Sequence, residues 1–238
     1  MDFNFKDKYD IDDLIKIMEI LRSENGCPWD REQDHKSIRQ NLIEETYEVI
    51  EAIDNEDTEL LKEELGDVLL QVVFHSRIEQ ENGNFEFSDV ADGICKKLII
   101  RHPHVFGDIT ADTPEEVLKN WDDIKMKTKS QTKASEAMDS VAKSLPALMR
   151  ADKIRSKAKK AGYAPKSYND AYNDAEIKLK ALSEASENNS ENNRKIGEML
   201  FSLINLAAML NVNPEESLYR ACDDFTESFR KLEESSLD

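Results

Sequence analysis

The chain has 238 residues, a formal net charge of −18 at pH 7 and 39% hydrophobic residues. This acidity argues against a nucleic-acid backbone or an anionic membrane as the main partner, and no apolar run reaches the roughly 18 residues of a membrane span. Charged residues are abundant, while Gly and Pro number only 7 and 6, which predicts a helix-rich chain, and its length allows one large or two small domains.

The N-terminus and the cysteines indicate the compartment. The first ten residues are too charged for a secretory signal. The three cysteines, Cys27, Cys95 and Cys222, have no metal-site spacing, and their odd number favours reduced thiols. We therefore expect a cytoplasmic protein.

Four helices are predicted in the first part of the chain from the spacing of apolar residues. They span residues 11–21, 37–53, 58–80 and 88–101. Gly26–Asp30 breaks the chain after the first helix, and Ser88 is expected to cap the fourth. His102–Gly107 should form a loop, because Pro103 disfavours helix at the residue before it.

Further helices are predicted at Thr113, at about residues 145–160 and at Asn213. Thr113 is a strong helix start because Pro114 follows it at the first helical position. Residues 183–194 are polar and are expected to form a flexible loop. The expected domains are residues 1–128 and 144–238, joined by a polar linker at 129–143.

The acids of the second and third helices form the most informative pattern. Residues three apart share a helix face, so Glu45 and Glu48 point the same way. Glu64 and Asp67 do the same on the next helix, and a turn near residues 55–58 would bring the two helices together. Four carboxylates in one partly buried site repel one another, whereas a hard divalent cation such as Mg²⁺ would hold them. The alternative is a solvated acidic face.

Two features favour the metal interpretation. Gly66 stands in mid-helix, where it costs about 1 kcal/mol relative to Ala, which suggests close helix approach. Apolar residues also flank the acids, so that some of the acids should lie at the edge of a buried stripe. These residues are Leu42, Ile43, Val49, Ile50, Leu65, Val68 and Leu69.

Several basic and aromatic residues could bind a substrate. Lys97 and Arg101 could contact phosphate oxygens, or they could only extend along the surface to reach solvent. Trp121 and Lys125 stand at i and i+4, where a ring beside an ammonium suits a nucleotide. Trp29 is either a core residue, the interpretation we favour, or a stacking surface for a planar ligand.

The second half of the chain repeats the first weakly. Glu63–Leu70 finds an echo in Arg194–Phe201, where the glycine and the apolar positions persist. Lys195 stands where Glu64 does, and the counterpart of the first acid pair, near residues 172–177, has lost most of its acids. Because a metal site needs its ligand set, the second copy is expected to keep the fold without the chemistry.

Taken in order, these motifs resemble the MazG family, the all-α nucleoside triphosphate pyrophosphohydrolases. The family hallmark, Glu-Glu-x-x-Glu and then Glu-x-x-Asp, matches Glu44-Glu45-x-x-Glu48 and Glu64-x-x-Asp67. Three further segments match, namely Gly26–Asp30, Arg101–Gly107 and Ser144–Ala151. The likeness is strong over residues 11–162 and weak beyond.

The resemblance implies tandem helical bundles that assemble as a homodimer of the four-helix-bundle type, with Mg²⁺ as cofactor and Mn²⁺ able to substitute. The implied metal ligands are Glu45, Glu48, Glu64 and Asp67. The residues implied to hold the triphosphate and base are Lys97, Arg101, Trp121 and Lys125. Family members often carry Asn where Cys95 stands and Arg where Ile100 stands, a departure expected to weaken phosphate binding or shift substrate preference.

The expected activity is hydrolysis of a nucleoside triphosphate between the α and β phosphorus. Base stacking on Trp121 or Trp29 tolerates any base, which predicts a broad nucleotide range. Glu44 is the candidate for accepting the proton of the attacking water. The catalytic set is therefore Glu44 together with the four implied metal ligands.

Two other function classes compete with this one. The first is a non-catalytic nucleotide sensor or partner-binding helical module, which the complete acid set of the first copy disfavours. The second is a carboxylate-bridged iron oxidase, which is disfavoured because His75 does not follow a Glu by three residues. We interpret His75 as a partly buried polar residue.

Overall fold

The computed structural model describes residues 3–111, 113–117, 120, 121, 124, 133–183 and 189–236. These residues form helices, turns and loops without any strand, so the all-α prediction is confirmed. The chain divides into two compact units, Met1–Ile124 and Lys125–Asp238.

The first unit contains six helices with complete bounds. They are α1 (Ile11–Leu21), α2 (Pro28–Glu32), α3 (Arg39–Asp54), α4 (Thr58–Glu81), α5 (Phe87–Arg101) and α6 (Pro103–Phe106). Helix α4 is the central element, because α1, α3 and α5 all pack against it. Its buried side chains Val73, Phe74 and Ile78 meet Met18 of α1 and Ile38, which immediately precedes α3.

A buried arginine ties the chain around α2 to the end of α4. The Arg22 guanidinium donates to Glu81 at 2.7 Å and also to the backbone carbonyls of Asp30 and Gln33. It also lies over the Phe74 ring, 5.3 Å from the centroid. Because a buried guanidinium needs its donors satisfied, this contact fixes the path of the chain before α3.

Two local predictions for the first unit are wrong. Glu86, not Ser88, is the N-cap of α5, because Glu86 and Asp89 form a reciprocal capping box. Residues 103–106 form the short helix α6 rather than a loop, since Pro103 takes the first helical position, where its missing N–H is not needed. The predicted helix start at Thr113 is confirmed, as its Oγ1 accepts from the backbone N of Glu116 at 3.3 Å.

The second unit contains five helices with complete bounds. They are α7 (Ala134–Asp139), α8 (Ala147–Lys160), α9 (Tyr168–Leu182), α10 (Asn189–Met209) and α11 (Pro214–Ser235). Helices α9 and α10 pack along each other, and α8 contacts α7, α10 and α11. Helix α7 lies inside the segment expected to be a linker, whose residues 129–132 are outside the described part of the chain.

The loop predicted at residues 183–194 is wrong from Asn189 onward, where α10 begins; residues 184–188 lie outside the described part. The polar composition was misleading because charged residues one turn apart pair along the helix. Lys195 meets Glu191 at 3.2 Å, and Arg194 meets Glu198 at 2.5 Å. Such i, i+4 pairs stabilise a helix without any apolar residue.

Among the described residues, no single helix is long and apolar enough to span a membrane. The pair Asn189–Met209 and Pro214–Ser235 passes that test of length and composition only when its two members are taken together across a bend of 103°.

Candidate active site

The hairpin of α3 and α4 positions the acidic residues. The predicted turn is confirmed: Asn55–Asp57 connects the helices, Glu56 adopts φ +54°, and Asp57 caps α4. Because the connection is so short, the packed helices run in opposite directions. Glu48 and Glu64 are equally far from Glu56 along the chain and therefore stand at one level of the hairpin.

Three carboxylates meet at this level. Glu45, Glu48 and Glu64, named here the carboxylate cluster, each offer an oxygen within 4.8 Å of the other two. Asp67 stands opposite Glu45, at the same distance along the chain from Glu56, and its charge acts on both Glu45 and Glu64. Glu44 is exposed, accepts from Gln40 at 3.3 Å and is not a member of the cluster.

The cluster is electrostatically strained. Burial, then hydrogen bonding to Glu48 and the charge of Asp67, raise the pKa of Glu45 above its usual 4.5. Burial and then the charge of Glu48 raise the pKa of Glu64 in the same direction. No lysine or arginine of the described residues pairs with these acids. An all-carboxylate donor set with raised pKa values suits a hard divalent cation, which prefers oxygen ligands and favours their ionised form.

The surroundings of the hairpin differ from two expectations. No atom lies within 4 Å of the position a Cβ would take at Gly66, so the prediction of close helix approach there is wrong within one chain. Four of the seven flanking apolar residues are exposed rather than buried, namely Ile43, Ile50, Leu65 and Leu69. These side chains form an apolar surface around the acids that this chain alone does not cover.

The predicted substrate residues have different environments. Lys97 is exposed and has no hydrogen bond or ion pair to another described residue. Arg101 is half-buried, with its guanidinium 5.4 Å from the centroid of the Trp121 ring. The His102 ring lies 5.8 Å from the same ring. Lys125 lies outside the described residues, so its predicted pairing with Trp121 is not described.

Trp29 is 58% exposed, so the structure does not support the favoured interpretation of a core residue. Its backbone carbonyl accepts from Gln33 at 2.9 Å, while its ring remains accessible. Trp121 is 37% exposed. Both indoles can therefore present ring surface to a ligand.

The second unit carries bases where the first carries only acids. Lys195, at the position of Glu64 in the internal repeat, pairs with Glu191. Glu198, at the position of Asp67, pairs with Arg194 at 2.5 Å and with Lys178 at 3.9 Å. Within the part of the chain that the structure describes, groups that could hold a metal ion occur only at the carboxylate cluster.

Sequence analysis missed a group at the other end of the α3–α4 hairpin. His35 and His75 meet through their Nδ1 atoms at 2.7 Å, and His35 Nε2 lies 2.5 Å from Glu79 Oε1. His35 and His75 are far apart in the sequence, so no local spacing rule could pair them. We name these three residues the histidine cluster.

Comparison with known proteins shows which family and which proteins this chain is similar to. Residues 33–106 match the MazG nucleotide pyrophosphohydrolase domain family.

The chain is 45% identical over 223 residues to the nucleoside triphosphate pyrophosphohydrolase/pyrophosphatase MazG of Thermotoga maritima, covering 94% of this chain and 85% of that protein. It is 40% identical over 228 residues to the nucleoside triphosphate pyrophosphohydrolase of Escherichia coli K12, covering 94% and 87%. The uncharacterized protein YabN of Bacillus subtilis is 44% identical over 223 residues, covering 92% and 45%. The carboxylate and histidine clusters both fall within residues 33–106.

Replacing Glu45 by Gln should stabilise the metal-free protein. Because its pKa is raised, ionising Glu45 costs more free energy in the folded state than in the unfolded state. This cost lowers the free energy of unfolding as the pH rises past about 4.5 and is complete above the folded-state pKa. Removing the charge relieves that cost and should raise the melting temperature, by roughly 2–4 °C for each kcal/mol relieved. Thermal unfolding in EDTA at pH 8 measures this shift.

The control is Glu59→Gln, which removes an exposed charge on α4 outside the cluster together with its ion pair to Lys62 at 2.6 Å. Adding Mg²⁺ should then raise the melting temperature of wild type and of the control, but not that of Glu45→Gln. Equal behaviour of the two variants would contradict the electrostatic account of the cluster.

Proposed function

Because the chain belongs to the MazG family and is a nucleoside triphosphate pyrophosphohydrolase, we propose that the carboxylate cluster of α3 and α4 is its Mg²⁺ site. The single observation that carries this proposal is the meeting of three carboxylates within 4.8 Å without a paired base among the described residues. Asp67 is the fourth proposed ligand. Mn²⁺, which also accepts oxygen ligands, should substitute for Mg²⁺.

The reaction is a hydrolysis at the α phosphorus. A water oxygen bonds to that phosphorus, the bond from it to the bridging oxygen breaks, and pyrophosphate leaves the monophosphate behind. A bound Mg²⁺ supplies charge neutralisation at the phosphate oxygens and a lower pKa for a coordinated water. Glu44 is the proposed acceptor of the water proton, because it adjoins the cluster and is not needed as a ligand.

Helix α5 supports a binding path for the triphosphate. Helices α4 and α5 pack together and are joined by the short connection between Glu81 and Phe87. Asp67 on α4 and Arg101 on α5 are equally far along their helices from this connection, so an α5 antiparallel to α4 would bring Arg101 to the level of the acids. With Lys97 one turn away on α5, this cation would hold phosphate oxygens beside the metal. Lys125 is proposed for the same role by resemblance.

A broad nucleotide range is proposed from the aromatic residues. Trp29 and Trp121 keep exposed ring surface, and stacking on an indole does not discriminate between bases. Because Arg101 lies beside Trp121, the contacts to the base and the contacts to the phosphates would lie in one region.

A homodimer is proposed from the uncovered apolar surface. Helix α11 exposes apolar side chains spaced alternately by four and three residues, namely Leu218, Cys222, Phe225, Phe229 and Leu232. That spacing is typical of a seam between packed helices. Exposed apolar residues also flank the acids on α3 and α4 of the first unit. A second copy of the chain, related to the first by one symmetry operation, would cover the exposed apolar faces of both units.

The proposed location is the cytoplasm. The free cysteines Cys27, Cys95 and Cys222 support it, because thiols stay reduced there.

Product analysis tests the metal-site assignment. Pure protein with Mg²⁺ and each of several nucleoside triphosphates should release monophosphate and pyrophosphate, and EDTA should abolish turnover. Glu64→Gln should lower kcat by at least about 1,000-fold while leaving helix content unchanged, since a metal ligand is lost. Glu59→Gln serves as the control.

Full activity of Glu64→Gln, or full activity in EDTA, would contradict the metal site. Nucleotide binding without turnover in wild type would instead favour the sensor hypothesis.

The dimer is tested by light scattering after gel filtration. Wild type should have twice the chain mass, and Phe225→Glu should shift it toward the monomer, because burying a charged side chain in the seam is unfavourable. Lys231→Glu introduces the same side chain on α11 outside the seam and should remain dimeric. A monomeric wild type, or a dimeric Phe225→Glu, would contradict the proposed seam.

A further inference from the structure

The histidine cluster joins the start of α3 to the far end of α4. The His35 and His75 rings are stacked with their centroids 5.0 Å apart and their Nδ1 atoms 2.7 Å apart. Glu79 accepts from His35 on one side and from the Asn84 amide at 2.6 Å on the other. The turn that carries His35 is itself held by Asp34, whose side chain accepts from the backbone N–H of Lys36 and Ser37 at 2.8 Å.

Hydrogen bonding fixes where the protons lie in the neutral cluster. The Glu79 carboxylate can only accept, so His35 Nε2 carries a hydrogen and donates to it. In neutral His35 the Nδ1 is then an acceptor, and His75 Nδ1–H donates to it. The cluster accommodates one added proton, because a cationic His35 can donate from both of its ring nitrogens. His75 then takes its other tautomer, in which Nδ1 accepts the hydrogen bond from His35. A second proton would leave two N–H groups facing each other across the short Nδ1–Nδ1 contact.

The cluster stands at the end of the hairpin opposite the turn. His35 precedes Glu56 by nearly as many residues as His75 and Glu79 follow it. The carboxylate cluster lies between these two attachments, closer to the turn along both helices. The turn prevents α3 and α4 from separating at one end, and the histidine cluster does so at the other.

We propose that His35, His75 and Glu79 are positioning residues that hold α3 against α4 and so keep the opposed carboxylates at metal-binding distance. The repulsion among the acids acts to part the two helices, and the histidine cluster opposes it from the open end. This inference rests on the proposed metal site. The positioning role implies that the metal site loses affinity when the histidine cluster takes up its second proton.

The charged groups around the cluster set the direction of the pH effect. Glu79 and Asp34 are the acids that face it, and Lys36 is the nearby base in the same turn. Burial and the proximity of His35 lower the pKa of His75, while hydrogen bonds from Asn84 and His35 lower the pKa of Glu79. His75 therefore takes up its proton at a lower pH in the folded protein than in the unfolded chain, so its stabilising contribution is complete above about pH 6.5 and is lost as the pH falls from that value through the folded-state pKa.

Two substitutions at His75 separate positioning from simple stability. His75→Asn keeps an amide N–H that can donate to His35 and an oxygen that can accept from it, without titrating. His75→Ala leaves the His35 Nδ1 without its partner. Gln80→Ala removes hydrogen bonds to Arg77 and Glu86 at the same end of α4 but none to the cluster, and it is the control for a general loss of hydrogen bonding there.

The measurements are the Mg²⁺ dissociation constant by calorimetry, without nucleotide, and kcat, both from pH 5.5 to 8.5. Protonation of the acids themselves is common to all variants. In addition to that common effect, the Mg²⁺ affinity and kcat of wild type and of Gln80→Ala should each fall about tenfold between pH 8 and 5.5. His75→Asn should show only the common effect. His75→Ala should bind Mg²⁺ about tenfold more weakly than wild type even at pH 8, with its far-UV circular dichroism unchanged.

Parallel pH profiles for wild type and His75→Asn, or unchanged Mg²⁺ affinity in His75→Ala, would overturn the positioning role. Absence of Mg²⁺ binding by wild type at pH 8 would overturn the proposed metal site, and the positioning role with it. The two failures are therefore distinguishable.

Discussion

The repulsion among carboxylates on α3 and α4 is the constraint on which the first unit depends. Glu45, Glu48 and Glu64 converge because a short turn sets their helices antiparallel on either side of Glu56. An apolar core of α1 and α4 and the buried Arg22 hold this hairpin from the outside. Part of the folding free energy is thus used to hold like charges together, as functional sites commonly do.

The second unit, which the sequence predicts to be a degenerate copy of the first, has cations beside its acids. Glu198 is neutralised by Arg194 and Lys178, and Lys195 stands where the first unit has Glu64. Ser202 donates to Asp174 at 2.5 Å and joins α9 to α10 through a hydrogen bond. Two long helices therefore pack together in the second unit with cations beside their acids, whereas the carboxylate cluster of the first unit has none among the described residues.

The acid site could be predicted from sequence because two local rules suffice to build it. Spacing by three residues sets the acids on one face of each helix, and the turn at Asn55–Asp57 sets the faces together. The His35–His75 contact could not be predicted, since imidazole pairing depends on packing between residues far apart in the sequence. The sequence likewise identified the apolar residues that flank the acids, such as Leu65, but it could not tell which of them the chain itself covers.

Local chemistry decided the remaining differences. Ser88 and Glu86 can both cap a helix, and the hydrogen bond that the Glu86 backbone N–H donates to the Asp89 carboxylate selects Glu86. Residues 189–194 lack apolar spacing, yet ion pairs one turn apart hold them in α10. Such choices turn on energies of about 1 kcal/mol or less, which composition and periodicity do not resolve.

Anomalous diffraction from crystals grown with Mn²⁺ would locate any metal bound at the carboxylate cluster. A manganese peak is expected within coordination distance of Glu45, Glu48 and Glu64, and no peak is expected beside Glu198 in the second unit. A carboxylate cluster without a peak, or equal peaks in both units, would contradict the proposed metal site.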